Sequence, residues 1–224
     1  MDESARSFWA TWHDAYDDPG SDLSERLIAV QRRLSDAIDE APPGAVRVIS
    51  ACAGQGHDVI GVLKTHPRAS DVHALLVESD DHNVRVARAR IAAAGITGVD
   101  VLQADAGVTG PYRDAVPAHV LMLCGIFGNV SDEDLRRTVS NASMLCAPRA
   151  TVLWTRHRRD PDRSSEVREW FAEAGFAEFA FDSPGPDRFA LGALRLAVPP
   201  LPYVSDLRLF TFRAWPPPEV APGT

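Results

Sequence analysis

The sequence predicts an α/β fold built on a parallel, doubly wound sheet, and two patterns carry that expectation. Apolar strand candidates at 46–51, 73–78, 99–103, 118–124 and 150–155 alternate with helical periodicity near 57–65, 81–94 and 131–146. The strand runs are also unbroken, as in Val120-Leu121-Met122-Leu123-Cys124, which fits strands covered on both faces. No internal repeat competes with this order.

The elements follow in chain order. Residues 1–44 read as an N-terminal helical cap. Phe8, Trp9, Trp12 and Tyr16 cluster there, Asp17-Asp18-Pro19-Gly20 breaks the segment, and Ser21-Asp22 caps a helix with Leu23, Leu27, Val30 and Leu34 on one stripe. Ala41-Pro42-Pro43-Gly44 ends that helix and leads into the first strand. Ser131-Asp132-Glu133-Asp134 resembles a capping box with Asp in place of Glu or Gln. Ser164 to Ala174 reads as a helix with Val167, Trp170 and Phe171 on its apolar face. Segments 176–181 and 207–212 alternate like strands. Phe189–Ala197, set among five prolines, fits either strand or helix, and the tail 214–224 is Pro-rich and irregular.

Composition narrows the function classes. A chain of 224 residues, 45% hydrophobic and 24% charged, is long enough for one domain with a substantial core. A net charge of -8 opposes general nucleic-acid binding, which needs surplus Lys and Arg. The acidic start Met1-Asp2-Glu3-Ser4 has no apolar signal core, and no apolar run is long enough to span a bilayer. Cys52, Cys124 and Cys146 lack metal-ligand spacing and fit reduced thiols. The expectation is a cytoplasmic protein with a small-molecule partner and no nucleic-acid or membrane partner; a homodimer is compatible with the sequence but not indicated by it.

The segment from Val46 to Asp58 is the most informative. A β-branched run enters the small-residue turn Ser50-Ala51-Cys52-Ala53-Gly54-Gln55-Gly56, and a helical pattern follows. Small residues let a ligand approach the backbone, and a strand-to-helix turn presents free N–H groups to it. Leu75-Leu76-Val77-Glu78 then ends a second strand in an acid, at the spacing where a carboxylate meets a ribose.

Together these residues resemble the class I S-adenosylmethionine-dependent methyltransferases. The 50–56 turn matches that family's glycine-rich first motif. Glu78 matches the acid ending its second strand. Gln103-Ala104-Asp105-Ala106 resembles its adenine-contacting segment, and 144–150 resembles the connection before its fifth strand. The resemblance spans residues 45–213. It implies a Rossmann-like, doubly wound, seven-stranded and mostly parallel sheet with an antiparallel C-terminal strand, the segments 176–181 and 207–212 forming the terminal antiparallel pair. It also implies S-adenosyl-L-methionine as cofactor. Cys52, Ala53, Gly54, Gln55 and Gly56 would surround its methionine end, Glu78 and Ser79 its ribose, Asp105 and Ala106 its adenine, and Cys124 and Gly125 its sulfonium. The family usually carries an acid where Ser50 stands and a glycine where Cys52 stands.

For the acceptor, His157 follows the fifth strand at the ligand-binding edge and titrates near neutrality, which suits a general base. Tyr16, Phe127 and Arg156 are the candidate substrate contacts. Arg156, with Arg158 and Arg159, forms a basic cluster in an acidic chain. His66 and His73 read as surface residues. The acceptor atom, oxygen, nitrogen or carbon, stays open. A non-catalytic S-adenosylmethionine-binding protein and a nicotinamide-dependent oxidoreductase are the alternatives, the latter opposed by an incomplete three-glycine fingerprint.

Overall fold

The computed structural model describes Tyr16, Asp18 and residues 20–213; Trp9, Trp12, His13 and the tail from 214 lie outside the described residues. The elements are α1 Asp22–Glu40, β1 Val46–Ala51, α2 His57–Leu63, β2 Val72–Glu78, α3 Asp81–Ala94, β3 Val99–Gln103, β4 Ala118–Leu123, α4 Asp132–Asn141, β5 Cys146–His157, α5 Ser164–Glu173, β6 Phe176–Asp182 and β7 Phe189–Leu196. The strands form one seven-stranded sheet in the order β3-β2-β1-β4-β5-β7-β6. The pairs from β3 across to β5 are parallel, and β7 runs antiparallel to both β5 and β6.

Local chemistry sets the helix starts. Ser21 caps α1 by accepting from Ser24 N–H, Asp80 caps α3 through Asn83 N–H, and Ser131 caps α4 through Asp134 N–H. The reciprocal half of a capping box is missing at α4, because the Asp134 carboxylate turns to Thr211 N–H at 3.0 Å and to Arg137.

The sheet is covered on both faces. Val30, Leu34, Ala37 and Ile38 of α1 and Val59, Val62 and Leu63 of α2 pack on Val48, Val120 and Met122. Leu135 and Val139 of α4 and Val167 and Phe171 of α5 pack on Ile49, Leu121 and Leu123 opposite. Consecutive strand residues thus face different helical layers, which is why the strands read as continuous apolar runs.

Several expectations are corrected. Segment 207–212 is not a strand of the sheet; it makes a single bridge, Val108 with Arg208. Leu209 and Phe210, consecutive in sequence, are both buried, so this piece is a plug rather than an alternating strand. Leu209 N–H donates to Gly107 O at 2.7 Å, and Thr138 Oγ1 donates to Leu209 O at 3.1 Å. The ambiguous segment is the strand: β7 lies inside the sheet with nearly every residue buried, a setting in which periodicity cannot separate strand from helix. The helix expected over 131–146 ends at Asn141, and a 3-10 turn, Ala142–Leu145, leads into β5 at Cys146. His66 is 8% exposed rather than at the surface, and its Nδ1 accepts from Arg68 N–H.

Trp154 of β5 faces Gly192 of β7 in register and is fully buried against Phe127 and Phe171. A Cβ at Gly192 would lie 2.2 Å from Trp154 Nε1. Gly192→Ala should therefore destabilise the protein by about 1–3 kcal/mol through overpacking. Urea denaturation should show a lower midpoint with an unchanged slope.

Candidate functional site

The site begins where β1 and β2 end. Cys52, Gly54 and Gly56 all have positive φ, at 54°, 56° and 69°, so the chain after β1 winds through the left-handed region. Gly56 is the cap of α2, and a Cβ there would meet Ile60 and Leu76 at 2.8 and 2.9 Å, so both sterics and backbone demand glycine. This winding aims Gly54 N–H at Glu78 Oε2, 2.8 Å away. Glu78 Oε1 accepts from Asp80 N–H at the same distance. Ala53 N–H donates to Val77 O at 3.0 Å, closing the contact between the two strand ends. Glu78 is 8% exposed, and burial raises its pKa against the opposing pull of the two N–H donors.

A cleft of about 770 Å³ opens over this edge and runs across the carboxyl ends of β2, β1, β4 and β5 to the start of β7. Sheets of this kind bind ligands where the strand order reverses, here between β1 and β4. Ala53, Gly54, Glu78, Ser79 and Asn83 line the β2 side. Leu23, Arg26, Leu27 and Val30 of α1 form one wall together with Tyr16. Cys124, Gly125 and Thr155 lie across the middle, where Gly125 N–H donates to Thr155 Oγ1 and Asn129 Nδ2 donates to Gly125 O. Asn129, Arg156, His157 and Arg159 line the β5 side, and Arg188, Phe189 and Phe212 complete it.

The cleft's polar groups are shifted mainly by burial. Burial raises the Asp58 carboxyl and the Tyr16 phenol, whose hydroxyl accepts from Arg26. Burial also pushes the Cys52 thiol well up, and the Cys124 thiol up to about 12. Neither is thiolate at neutral pH, so neither offers a ready nucleophile. Burial, with the positive charges of Arg156 and Arg159, lowers the His157 imidazole below the ordinary value of 6.5. His157 lies against Gly128, where a Cβ would sit 2.9 Å from its Nε2.

Of the residues singled out from sequence, Tyr16, Cys52, Ala53, Gly54, Glu78, Ser79, Cys124, Gly125, Arg156 and His157 all line the cleft. Five do not. Phe127, expected to touch substrate, is fully buried between Trp154 and Phe171; only its carbonyl bears on the site, accepting from Arg156. Asp105 turns one oxygen to Gly107 N–H at 2.7 Å and the other to Arg208. Ala106 is buried, its carbonyl taken by the Tyr112 hydroxyl. Gln55 supports the wall from behind by donating to Asn83 Oδ1, and Gly56 serves α2. The buried Ser50 also stays out of the cleft.

Asn83 and Asp58 also line the cleft, and no motif in the sequence singles them out. Both stand in the first turn of a helix that follows a strand at the ligand edge, a placement readable from element order. Arg26, Asn129 and Arg188 come from distant segments and carry no such signal.

No protein-family model and no curated protein sequence matches this chain. Solved structures do. An O-methyltransferase family protein from Burkholderia thailandensis superposes with a TM-score of 0.58 at 17% identity, over 78% of this chain and 58% of that one. The CurJ carbon methyltransferase does so with 0.57 at 14%, over 77% and 54%. The fold is that of the class I methyltransferases. An O-methyltransferase family 2 protein from Planctomyces limnophilus, solved with apigenin, shares it with a TM-score of 0.57 at 16% identity, over 77% of this chain and 59% of that one. The present chain thus spans little more than half of each of these proteins. Proteins described as O- and as carbon methyltransferases share this fold. Among the described residues no helix is long and apolar enough to cross a membrane.

The turn after β1 holds a side chain at a left-handed position, Cys52, where the family it resembles has glycine. Left-handed backbone disfavours a Cβ. Cys52→Gly should leave the turn intact and shift stability by no more than about 1 kcal/mol, whereas Cys52→Val should lose more than that. Thermal unfolding of the two variants checks the order.

Proposed function

We propose that this chain is an S-adenosylmethionine-dependent methyltransferase acting on a small-molecule acceptor. The observation that carries the reading is Glu78. Its carboxylate is fixed at the cleft by Gly54 and Asp80 N–H groups, one to each oxygen, and each oxygen keeps acceptor capacity for a ribose hydroxyl. Ala53 and Gly54 line the same end, where their small size leaves room for the methionine part. Asp105 does not line the cleft, so the adenine contact expected from the resemblance is not assigned to it.

When bound, the cofactor supplies an electrophilic methyl group on a positively charged sulfur. The chain's own part is to hold, align and dehydrate. Glu78 and Gly54 fix one end, while Leu23, Leu27 and Val30 exclude water from above. Alignment of acceptor and methyl accounts for much of the acceleration in such a displacement. His157 is the candidate general base. Its lowered pKa keeps the imidazole neutral at pH 7, ready to take a proton from an acceptor hydroxyl or amine.

Two measurements test the reading. Calorimetry with S-adenosylmethionine and S-adenosylhomocysteine should show saturable binding, weakened at least about ten-fold in Glu78→Ala, as expected for loss of charge-assisted hydrogen bonds. No binding to folded wild type, or binding of NAD in its place, would overturn it. Once an acceptor is in hand, kcat/KM should fall as pH drops through a value below 6.5, because protonation disables the base. His157→Gln should lower the rate by about 10²–10⁴ and abolish that acidic limb.

A further inference from the structure

The β5 side of the cleft carries positive charge that the protein leaves unbalanced. Arg156 is 8% exposed and lines the cleft. Its guanidinium donates to two backbone carbonyls, of Phe127 and, at 3.4 Å, of Pro161. Its buried Nε has no partner, and no carboxylate among the described residues lies within ion-pair distance. The acids whose fields reach it are already paired, Asp132 with Arg163 at 3.3 Å and Asp162 with Arg158 at 2.8 Å. Arg159, in the same wall, is exposed and paired with no acid among the described residues. Arg188 differs, being held by Asp22 and Glu25 of α1; its neighbour Asp187 is the exposed acid of this wall.

A buried cation with no counter-ion is unfavourable until an anion completes it, and the planar guanidinium fork suits a carboxylate or phosphate. Phe189 and Phe212 beside it offer apolar surface for the rest of a ligand. We propose that this end of the cleft is an oxyanion subsite, and that the methyl acceptor carries a carboxylate or phosphate group that pairs with Arg156 and Arg159. The pairing anchors the acceptor beside His157. As a statement about the acceptor this rests on the methyltransferase reading; as a statement about binding it does not.

The test is a titration of the whole chain with benzoate, phenyl phosphate and neutral benzyl alcohol, with and without saturating S-adenosylhomocysteine. At least one anion should bind about ten-fold or more tighter than benzyl alcohol, and the tighter anion identifies the group. Arg159→Gln should erase most of that preference while leaving S-adenosylhomocysteine affinity unchanged. Arg156→Gln also removes the donors to Phe127 and Pro161, so its fold is checked by circular dichroism and Arg159→Gln decides. Equal affinity for benzoate, phenyl phosphate and benzyl alcohol, or anion affinity untouched in Arg159→Gln, overturns the subsite. A protein that binds the anions but not S-adenosylhomocysteine keeps the subsite and loses the methyltransferase reading; the reverse loses only the subsite.

Discussion

The grip of Glu78 on two backbone N–H groups is the contact on which the site depends. One donor belongs to the turn after β1 and the other to the turn after β2, so a single carboxylate fixes both strand ends against each other. The alternating left-handed residues Cys52, Gly54 and Gly56 shape the turn that brings Gly54 N–H to that carboxylate. Burying the acid is unfavourable by itself, as its raised pKa records, and the two donors offset much of that penalty. The result is an acid whose position is set by the protein itself, as the ribose contact proposed for it requires.

The lid above this floor is held by unequal forces. Val30, Leu34 and Ile38 of α1 are almost fully buried on the sheet, and burial of side chains this size contributes about 1.5–3 kcal/mol each. The ion pairs from α1 to the β6–β7 hairpin, Arg33 with Asp182 and Asp22 and Glu25 with Arg188, are solvent-screened and contribute less than this burial. The apolar half of α1 is therefore its anchor. The half that overhangs the cleft, through Leu23 and Leu27, is held mainly by charge.

Much of this was legible in the sequence, for identifiable reasons. Both faces of the sheet are covered at its centre, so β4 appears as an unbroken apolar run from Val120 to Leu123. Glu78 stands out because its spacing from the turn is set by one helix and one strand. The failures are equally physical. β7 is buried on both sides and so resembles a helix segment, while the Leu207–Phe212 stretch alternates by composition although its two central residues are both buried. Phe127 follows the end of β4 closely enough to suggest a ligand contact, but after Gly125, with φ 78°, the chain returns it to the aromatic core. Asp105 forms a local bond two residues on and pairs with Arg208, a residue so remote in sequence that no spacing rule reaches it.

The place of β7 bears on how the molecule is assembled. It lies between β5 and β6, yet it is the last strand among the described residues. Without β7, β5 has an unpaired edge and Trp154 loses the Gly192 face it packs on. An exposed apolar strand edge is a template for unwanted pairing. Closing it requires contacts far apart in sequence, which fold slowly. The same strand that completes the cleft wall with Phe189 is thus the final seam of the sheet, and without it the edge of β5 would stand open to neighbouring chains.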